Sequence, residues 1–177
     1  MPVEFFDVVD DQDNVIGRRP GRECVRQGLL HRAIAILLFD EREAVYIQRR
    51  ADWMGWYPSH WTLSVMGHVA SGETYEQAAK RELSEELGIQ CKLKWMAKVK
   101  TPEWPYGDLV EREYLAIFEG HVTDPKITLS EETKEGKFVG FNEFVKVAKD
   151  EPDKLTPDTL LALNVYRQTA EAKTRRG

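Results

Sequence analysis

Three glutamates near the middle of the chain have the spacing of a metal-binding group. Glu82, Glu85 and Glu86 stand at positions i, i+3 and i+4, so a helix would place their carboxylates on one face. Like charges at this spacing cost about 0.2–0.5 kcal/mol per pair, and a divalent cation would relieve that repulsion. Carboxylate oxygens are hard ligands that suit Mg²⁺ or Mn²⁺. The alternative interpretation is an acidic helix face that is simply solvated.

The residues around these glutamates predict a helix with a defined end. Residues 74–87 carry apolar side chains at every fourth position, which makes one apolar stripe. Gly88 is expected to end this helix. Before the helix, Gly67 and Gly72 allow the backbone to turn tightly and to approach a ligand closely. The sequence therefore predicts a loop, an acidic helix and a second loop.

The remaining elements indicate an α+β fold, because strands and helices mix without the βαβ alternation of a doubly wound fold. The 177 residues are expected to form a single domain, residues 1–177, with a hairpin and a short helix within residues 1–30. The predicted strands cover residues 4–9, 15–18, 31–39, 44–50, 61–69, 92–101, 109–119 and 138–141. The predicted helices cover residues 21–27, 74–87, 142–149 and 158–170.

The composition is that of an ordinary globular protein, with 42% hydrophobic and 31% charged residues. A net charge of −5 disfavours a nucleic-acid polymer as partner. No apolar run approaches the roughly 18–20 residues of a membrane span. The N-terminus lacks the features of a signal peptide, and Cys24 and Cys91 are the two cysteines, so we expect a cytoplasmic protein. The sequence does not decide whether the N-terminal hairpin pairs with a second copy of the chain to form a homodimer.

The glutamates belong to a longer pattern. Residues 67–89 resemble the Nudix box, G-x5-E-x7-R-E-U-x-E-E-x-G-U with U aliphatic, at every specified position. The resemblance implies an α/β/α sandwich around a mixed β-sheet, with the box forming a loop-helix-loop. It also implies that Glu82 and Glu86 hold the metal, often together with Glu85 and the backbone carbonyl of Gly67.

The same resemblance implies a catalytic arrangement. Arg81 is expected to pair with the loop residue Glu73 and so to orient the helix. Either Glu82 or Glu85 would act as the general base. The implied reaction is hydrolysis of a phosphoanhydride bond in a small molecule, namely a nucleoside diphosphate linked to some group X, a nucleotide or a related diphosphate.

Segments outside the box resemble the isopentenyl diphosphate isomerase branch of Nudix proteins. These isomerases bind a metal through three histidines and two glutamates. By this resemblance His31, His68, Glu111 and Glu113 form a second divalent site. Cys24 falls where the other histidine is found, and a sulfur ligand would favour Zn²⁺. The resembling segments are residues 28–33, 48–50, 56–62 and 67–68.

Departures from the isomerase pattern favour hydrolysis. Met66 stands where the isomerases carry a catalytic cysteine, and a thioether has no proton to exchange. Met54 and Gly55 occupy the stretch where the isomerases carry a lysine near the diphosphate. The isomerase box is usually degenerate at the glutamates, whereas here it is intact. An isomerase and a non-catalytic sensor of a diphosphate ligand remain the alternatives.

Candidates for contact with substrate lie beside these groups. Arg49 and Arg50 point to opposite faces at a strand end, and we favour Arg50 for clamping phosphate with its planar guanidinium. A surface salt bridge is the alternative for either arginine. His68, directly after the first box glycine, is a further candidate. Trp53 and Trp56 could stack on a nucleobase or cover a hydrophobic tail, and Trp104 lies in a loop expected at the rim of the cleft; packing within the protein is the alternative for each.

Overall fold

The computed structural model describes residues 3–174, which form a mixed β-sheet, a separate N-terminal hairpin and four α-helices. The strands are β1 Phe5–Val9, β2 Val15–Pro20, β3 His31–Phe39, β4 Ala44–Arg50, β5 Trp61–Thr62, β6 Val65–His68, β7 Leu93–Lys100, β8 Trp104–Tyr106, β9 Leu109–Glu111, β10 Glu113–His121 and β11 Thr133–Gly140. The helices are α1 Gly21–Gln27, α2 Tyr75–Leu87, α3 Phe141–Asp150 and α4 Pro157–Thr174.

The central sheet has seven strands and is buried on both faces. Its main order is β11-β4-β3-β10-β7, and β3 and β10 are parallel while the other pairs are antiparallel. On one face of β3, Leu37 belongs to a core with Leu163 of α4. On the other face, Ile36 belongs to a core with Leu83 of α2. These layers confirm the predicted α/β/α sandwich around a mixed sheet.

The hairpin of β3 and β4 opens into a gap that two short strands fill. The hairpin strands pair at Phe39 and Val45, after which β5 pairs with β4 and β6 pairs with β3. The hydroxyl of Ser64, between β5 and β6, accepts from the N–H of Leu38 at 2.8 Å and donates to the carbonyl of Tyr46 at 2.6 Å. The prediction of a single strand over residues 61–69 is therefore wrong, because the two halves of this segment pair with different strands.

Helix α2 has the ends that its sequence predicts. Thr74 caps the helix, since its hydroxyl accepts from the N–H of Gln77 while the Gln77 side chain accepts from the N–H of Thr74. At the other end, Gly88 adopts the left-handed conformation with φ of 67°. Both ends are fixed by local hydrogen bonds, which sets the direction of the acidic face.

Two other predicted strands differ from the structure. The strand predicted over residues 109–119 divides at Arg112, because β9 pairs with β8 whereas β10 pairs with β3 and β7. The strand predicted over residues 138–141 is longer and begins at Thr133, where β11 pairs with β4. Its predicted last residue, Phe141, instead begins α3.

The N-terminal hairpin of β1 and β2 packs against the loop that precedes α2. Phe6 is buried and forms a bridge with Ala70. The carboxylate of Asp7 accepts from the hydroxyl of Ser71 at 2.6 Å and from the N–H of Gly72 at 3.0 Å. The hairpin therefore constrains the loop that leads into the acidic helix. Among residues 3–174, no helix combines the length and the apolar character needed to cross a membrane.

Substituting Ser64 by Ala should destabilise the protein by about 1–3 kcal/mol, because the N–H of Leu38 and the carbonyl of Tyr46 lose a buried partner. Urea unfolding measures this loss. The matched control is Ser84→Ala on the exposed surface of α2, which should change stability by less than about 0.5 kcal/mol. Equal effects of the two substitutions would show that Ser64 does not brace the open hairpin.

Candidate functional site

Arg81 is the centre of the acidic helix face. Its guanidinium donates to both oxygens of Glu73, at 2.8 and 2.9 Å, which fastens the preceding loop to the helix. The same side chain donates to Glu82 at 2.8 Å, to Glu85 at 3.2 Å and to the backbone carbonyl of His68 at 3.0 Å. The hydrogen bonds from Arg81 lower the pKa of Glu73. The predicted Arg81–Glu73 pair is thus present in the structure.

Glu82 and Glu86 are held in an environment that penalises their negative charge. Burial raises the pKa of Glu82, although the charge of Arg81 opposes this. Burial, followed by the charge of Glu82, raises the pKa of Glu86 to about 8. Glu85 is more exposed, with 60% of its side chain accessible. Because a divalent cation stabilises ionised carboxylates that are short of water and close together, this donor set fits Mg²⁺ or Mn²⁺.

Gly67 lies directly against the carboxyl group of Glu82. A Cβ atom at Gly67 would overlap that group, so no side chain fits at this point of β6 without displacing it. Strand β6 is held there by pairing of Gly67 with Ile34 of β3. The structure therefore brings the first box glycine and the first helix glutamate together, as the box pattern predicts.

A cleft of about 540 Å³ borders this acidic face. Besides the three glutamates of α2, it is lined by Arg50 and by Glu131 and Glu132 of the loop before β11. The charge of Glu132 contributes to the raised pKa of Glu86. The cleft thus combines many carboxylates with a guanidinium from β4, an arrangement suited to a cation together with an anionic ligand.

The two neighbouring arginines occupy different surroundings. Arg50 borders the large cleft, and its Nε donates to the carbonyl of Trp56 at 2.8 Å. Arg49 instead donates to the carbonyl of Ser59 at 2.9 Å and to Glu135 at 3.0 Å. Arg49 lines none of the five main cavities of residues 3–174, so the structure brings Arg50 to the glutamates and leaves Arg49 in a salt bridge.

A second group of ionisable side chains lies beside the first. His31, His68, Glu111 and Glu113 offer one ligand atom each, all within 4.8 Å of one another. Nε2 of His31 is 3.5 Å from Glu111 and 3.8 Å from Glu113, and Nε2 of His68 is 3.5 Å from Glu113 and 3.8 Å from Glu111. All four residues that the isomerase resemblance selected are therefore adjacent.

The protonation of His31 makes this group suitable for a second cation. Its Nδ1 lies 2.8 Å from the carbonyl of Leu29, which can only accept, so Nδ1 carries a hydrogen. In the neutral ring Nε2 is then an acceptor, and it faces the carboxylate of Glu111. Nε2 of His31 and Oε2 of Glu111 are both buried and have no hydrogen-bond partner among residues 3–174. A proton or a metal ion between them would satisfy both atoms.

Charge and burial compete within this group. Burial opposes protonation of His68, but the neighbouring carboxylates of Glu111 and Glu113 raise its pKa to about 9. Burial and the charge of Glu111 raise the pKa of Glu113 to about 8. The neighbouring imidazoles of His31 and His68 outweigh burial and lower the pKa of Glu111.

The sheet and the N-terminal hairpin place these side chains. Glu113 pairs with His31 across β10 and β3, and His68 of β6 pairs with β3 on its other side. Phe6 stacks on both imidazoles, with centroids 5.3 Å from His31 and 4.5 Å from His68. Cys24 does not belong to the group and is buried, with its thiol near the carbonyl of Arg19.

Two residues at the site had no assigned role in the sequence. Asp158 begins α4 and lines a smaller cavity of about 100 Å³ together with Trp56 and Trp104. Burial raises its pKa. Nothing in the sequence connects the last helix with this cavity. Gln48 is buried on β4 and donates to Glu86, and its signal in the sequence was a polar residue directly after the apolar run of residues 44–47.

Comparisons with known proteins agree with this geometry. A family model for the NUDIX domain matches residues 29–159. The chain is 32% identical over 153 residues to isopentenyl-diphosphate Delta-isomerase 2 of Photorhabdus laumondii, with 86% of each chain covered. It is 31% identical over 153 residues to prenyl-diphosphate phosphatase of Methanosarcina mazei, covering 84% of this chain and 86% of that protein. The crystal structure of DR0079 from Deinococcus radiodurans matches with a TM-score of 0.71 at 23% identity, covering 93% of this chain and 98% of that one.

These matches carry different weight. At 23% identity, the likeness to the solved structure supports the fold. The family model covers more than half of the chain, and both curated relatives exceed 30% identity over most of their length. The chain therefore belongs to the Nudix family, in the group related to the isopentenyl diphosphate isomerases.

Proposed function

We propose that the chain is a metal-dependent hydrolase that cleaves the phosphoanhydride bond of a small diphosphate-containing molecule. The observation that carries this proposal is the complete acidic face of Glu82, Glu85 and Glu86, which shares one cleft with Arg50. Both curated relatives are named for reactions of diphosphates, and one of them is a phosphatase. An intact carboxylate face also distinguishes this chain from the pattern of the isomerases.

Each group of the cleft has a role in this proposal. Glu82, Glu85 and Glu86 would hold Mg²⁺ or Mn²⁺, with the backbone carbonyl of Gly67 completing the ligand set. Bound there, a divalent cation lowers the pKa of water and neutralises charge on a diphosphate. Arg81 keeps Glu82 in place through its hydrogen bond at 2.8 Å.

A glutamate would take the proton of the attacking water. Glu82 and Glu85 are the candidates, and we favour Glu82. Its side chain is only 14% exposed and is held by Arg81 at 2.8 Å, which fixes the carboxylate beside the proposed cation. Glu85 is more exposed and would act through the solvent side of the cleft.

Arg50 is the candidate for binding the substrate phosphates. Its Nε donates a hydrogen bond to the carbonyl of Trp56, which fixes the direction of the guanidinium. Among residues 3–174, its terminal nitrogens donate no hydrogen bond to the protein, and the side chain borders both cavities. A planar guanidinium with free donors binds phosphate oxygens in pairs.

The smaller cavity would receive the group attached to the diphosphate. Trp56 and Trp104 offer flat apolar surfaces, and Asp158 offers a carboxylate that accepts hydrogen bonds. A nucleotide or sugar combines ring faces with hydroxyl or amino donors and suits this lining. The substrate classes that we propose are therefore nucleoside diphosphates linked to a group X, nucleotides and related diphosphates.

Isomerisation of an isoprenoid diphosphate is the second candidate function. The group of His31, His68, Glu111 and Glu113 favours it, since it fits the metal site of the isomerases. Met66 opposes it. Incubation with isopentenyl diphosphate in deuterated water decides the question, because isomerisation incorporates deuterium into carbon and hydrolysis does not.

Substituting Glu86 by Gln should reduce turnover by at least about 100-fold, because a cation ligand is lost while the side chain keeps its shape. The assay is phosphate release with Mg²⁺ and with Mn²⁺ across nucleotide sugars, dinucleotides, nucleoside di- and triphosphates and isoprenoid diphosphates. Glu76→Gln, exposed on the same helix, is the control and should keep its activity. Full turnover by the Glu86 variant would refute the cation assignment. Silence of the folded, cation-bound wild type would favour a ligand sensor.

Glu86 should also make the metal-free protein less stable as the pH rises. Its folded pKa of about 8 lies above the ordinary value of 4.5, so between these values the folded state binds more protons than the unfolded state. The penalty is absent below about pH 4.5 and complete above about pH 8. Without divalent cations, Glu86→Gln should therefore raise the melting temperature more at pH 8 than at pH 5. A difference that is equal at both pH values would contradict the buried charge.

The two neighbouring arginines should differ in their effect on the reaction. Arg50→Lys should lower kcat/KM by about 10-fold or more, because lysine cannot bind a phosphate in the paired geometry of a guanidinium. Arg49→Lys should stay within about twofold of the wild type, since Arg49 lies in a surface salt bridge. Steady-state kinetics on the preferred substrate measure both. The proposed role of Arg50 fails if the two variants lose activity equally.

A further inference from the structure

Glu86 receives its hydrogen bond from a neutral group. Among residues 3–174, its side-chain donor is the amide of Gln48, whose Nε2 lies 2.7 Å from Oε2 of Glu86. Glu82 and Glu85 instead share the guanidinium of Arg81. The last glutamate of the face is therefore oriented by a donor that carries no charge.

The surroundings of Gln48 fix the direction of its amide. Gln48 is 2% exposed, so its polar atoms must be satisfied by the protein. Nε2 also donates to the backbone carbonyl of Ser64 at 2.7 Å, and that oxygen can only accept. At the other end, Oε1 accepts from the hydroxyl of Thr133 at 2.7 Å. A reversed amide would place its oxygen against two acceptors, so the nitrogen faces Glu86.

A neutral donor has a specific consequence for a carboxylate that would bind a cation. A lysine or arginine at this position would compensate the charge of Glu86 and compete with a divalent ion. The amide of Gln48 occupies one oxygen, leaves the net charge intact and holds the second oxygen in one orientation. Partners that hold a ligand in this way typically change metal affinity 10–100-fold when they are removed.

We propose that Gln48 is a positioning residue that presents Glu86 to a divalent cation, and that Thr133 keeps the Gln48 amide in the required direction. This inference rests on the proposed function, in which Glu86 is a cation ligand. It links Glu86 to two parts of the sheet, because Ser64 lies between β5 and β6 and Thr133 begins β11.

The experiment measures binding of Mn²⁺ to the full chain by electron paramagnetic resonance, without substrate. Gln48→Met keeps the length of the side chain and removes its hydrogen bonds, and it should weaken Mn²⁺ binding by about 10-fold or more. Gln27→Met is the matched control, because Gln27 donates to Glu23 at 3.1 Å on the exposed surface of α1 and lines no cavity. This control should bind Mn²⁺ as the wild type does.

Thr133→Val provides a second variant that leaves Gln48 in place. It removes the hydroxyl that bonds to Oε1 of Gln48, and a weakening of about threefold is expected, less than for loss of the amide. If Gln48→Met fails to fold, the Mn²⁺ affinity of Thr133→Val tests the positioning role of Gln48 instead. Melting temperatures identify which variants are folded.

The possible outcomes are distinct. Folded Gln48→Met with wild-type Mn²⁺ affinity, or a loss equal to that of Gln27→Met, would overturn the positioning role while leaving the hydrolase proposal intact. Unchanged affinity in Thr133→Val would overturn its part of the relay. A folded wild type that binds no Mn²⁺ would instead overturn the proposed function on which the inference rests.

Discussion

The site depends on one guanidinium that holds several carboxylates which would otherwise repel one another. Arg81 donates to Glu73, Glu82 and Glu85 and also to the backbone of β6 at His68. A helix with acids at this spacing is weakened by their repulsion, and these acids lie towards its C-terminal end, where the helix dipole adds to the cost. Arg81 offsets part of this cost without removing it, so the face remains able to bind a cation.

Strand β6 connects the two groups of ionisable side chains. Its consecutive residues Gly67 and His68 belong to different groups, since Gly67 lies against Glu82 and His68 lies beside Glu111. This arrangement requires the gap between β3 and β4, because β6 can pair with β3 only where β4 has moved away. The opened hairpin is thus the structural condition for two adjoining sites.

Much of this could be predicted from sequence because the decisive signals are local. The ends of α2 and the acidic face follow from spacing within one segment, whereas the Arg81–Glu73 pair was implied by the resemblance to the Nudix box; the structure contains all three. The division of the strand over residues 61–69 could not be predicted, since it depends on which distant strand each half pairs with. Asp158 was missed for the same reason, because only tertiary packing brings the start of α4 to the smaller cavity.

The chemistry of Met66 bears on which reaction the two sites can support. Met66 lines both cavities and therefore stands between the groups that would bind the diphosphate and those that would face the rest of the substrate. Moving a double bond along a carbon chain requires one proton to be added and another removed, so two proton-carrying groups must flank the carbon atoms. A thioether carries none. The proposed hydrolysis needs a proton acceptor for the attacking water, and Glu82 and Glu85 are the candidates for that role. The thioether of Met66 therefore favours the proposed hydrolysis over isomerisation.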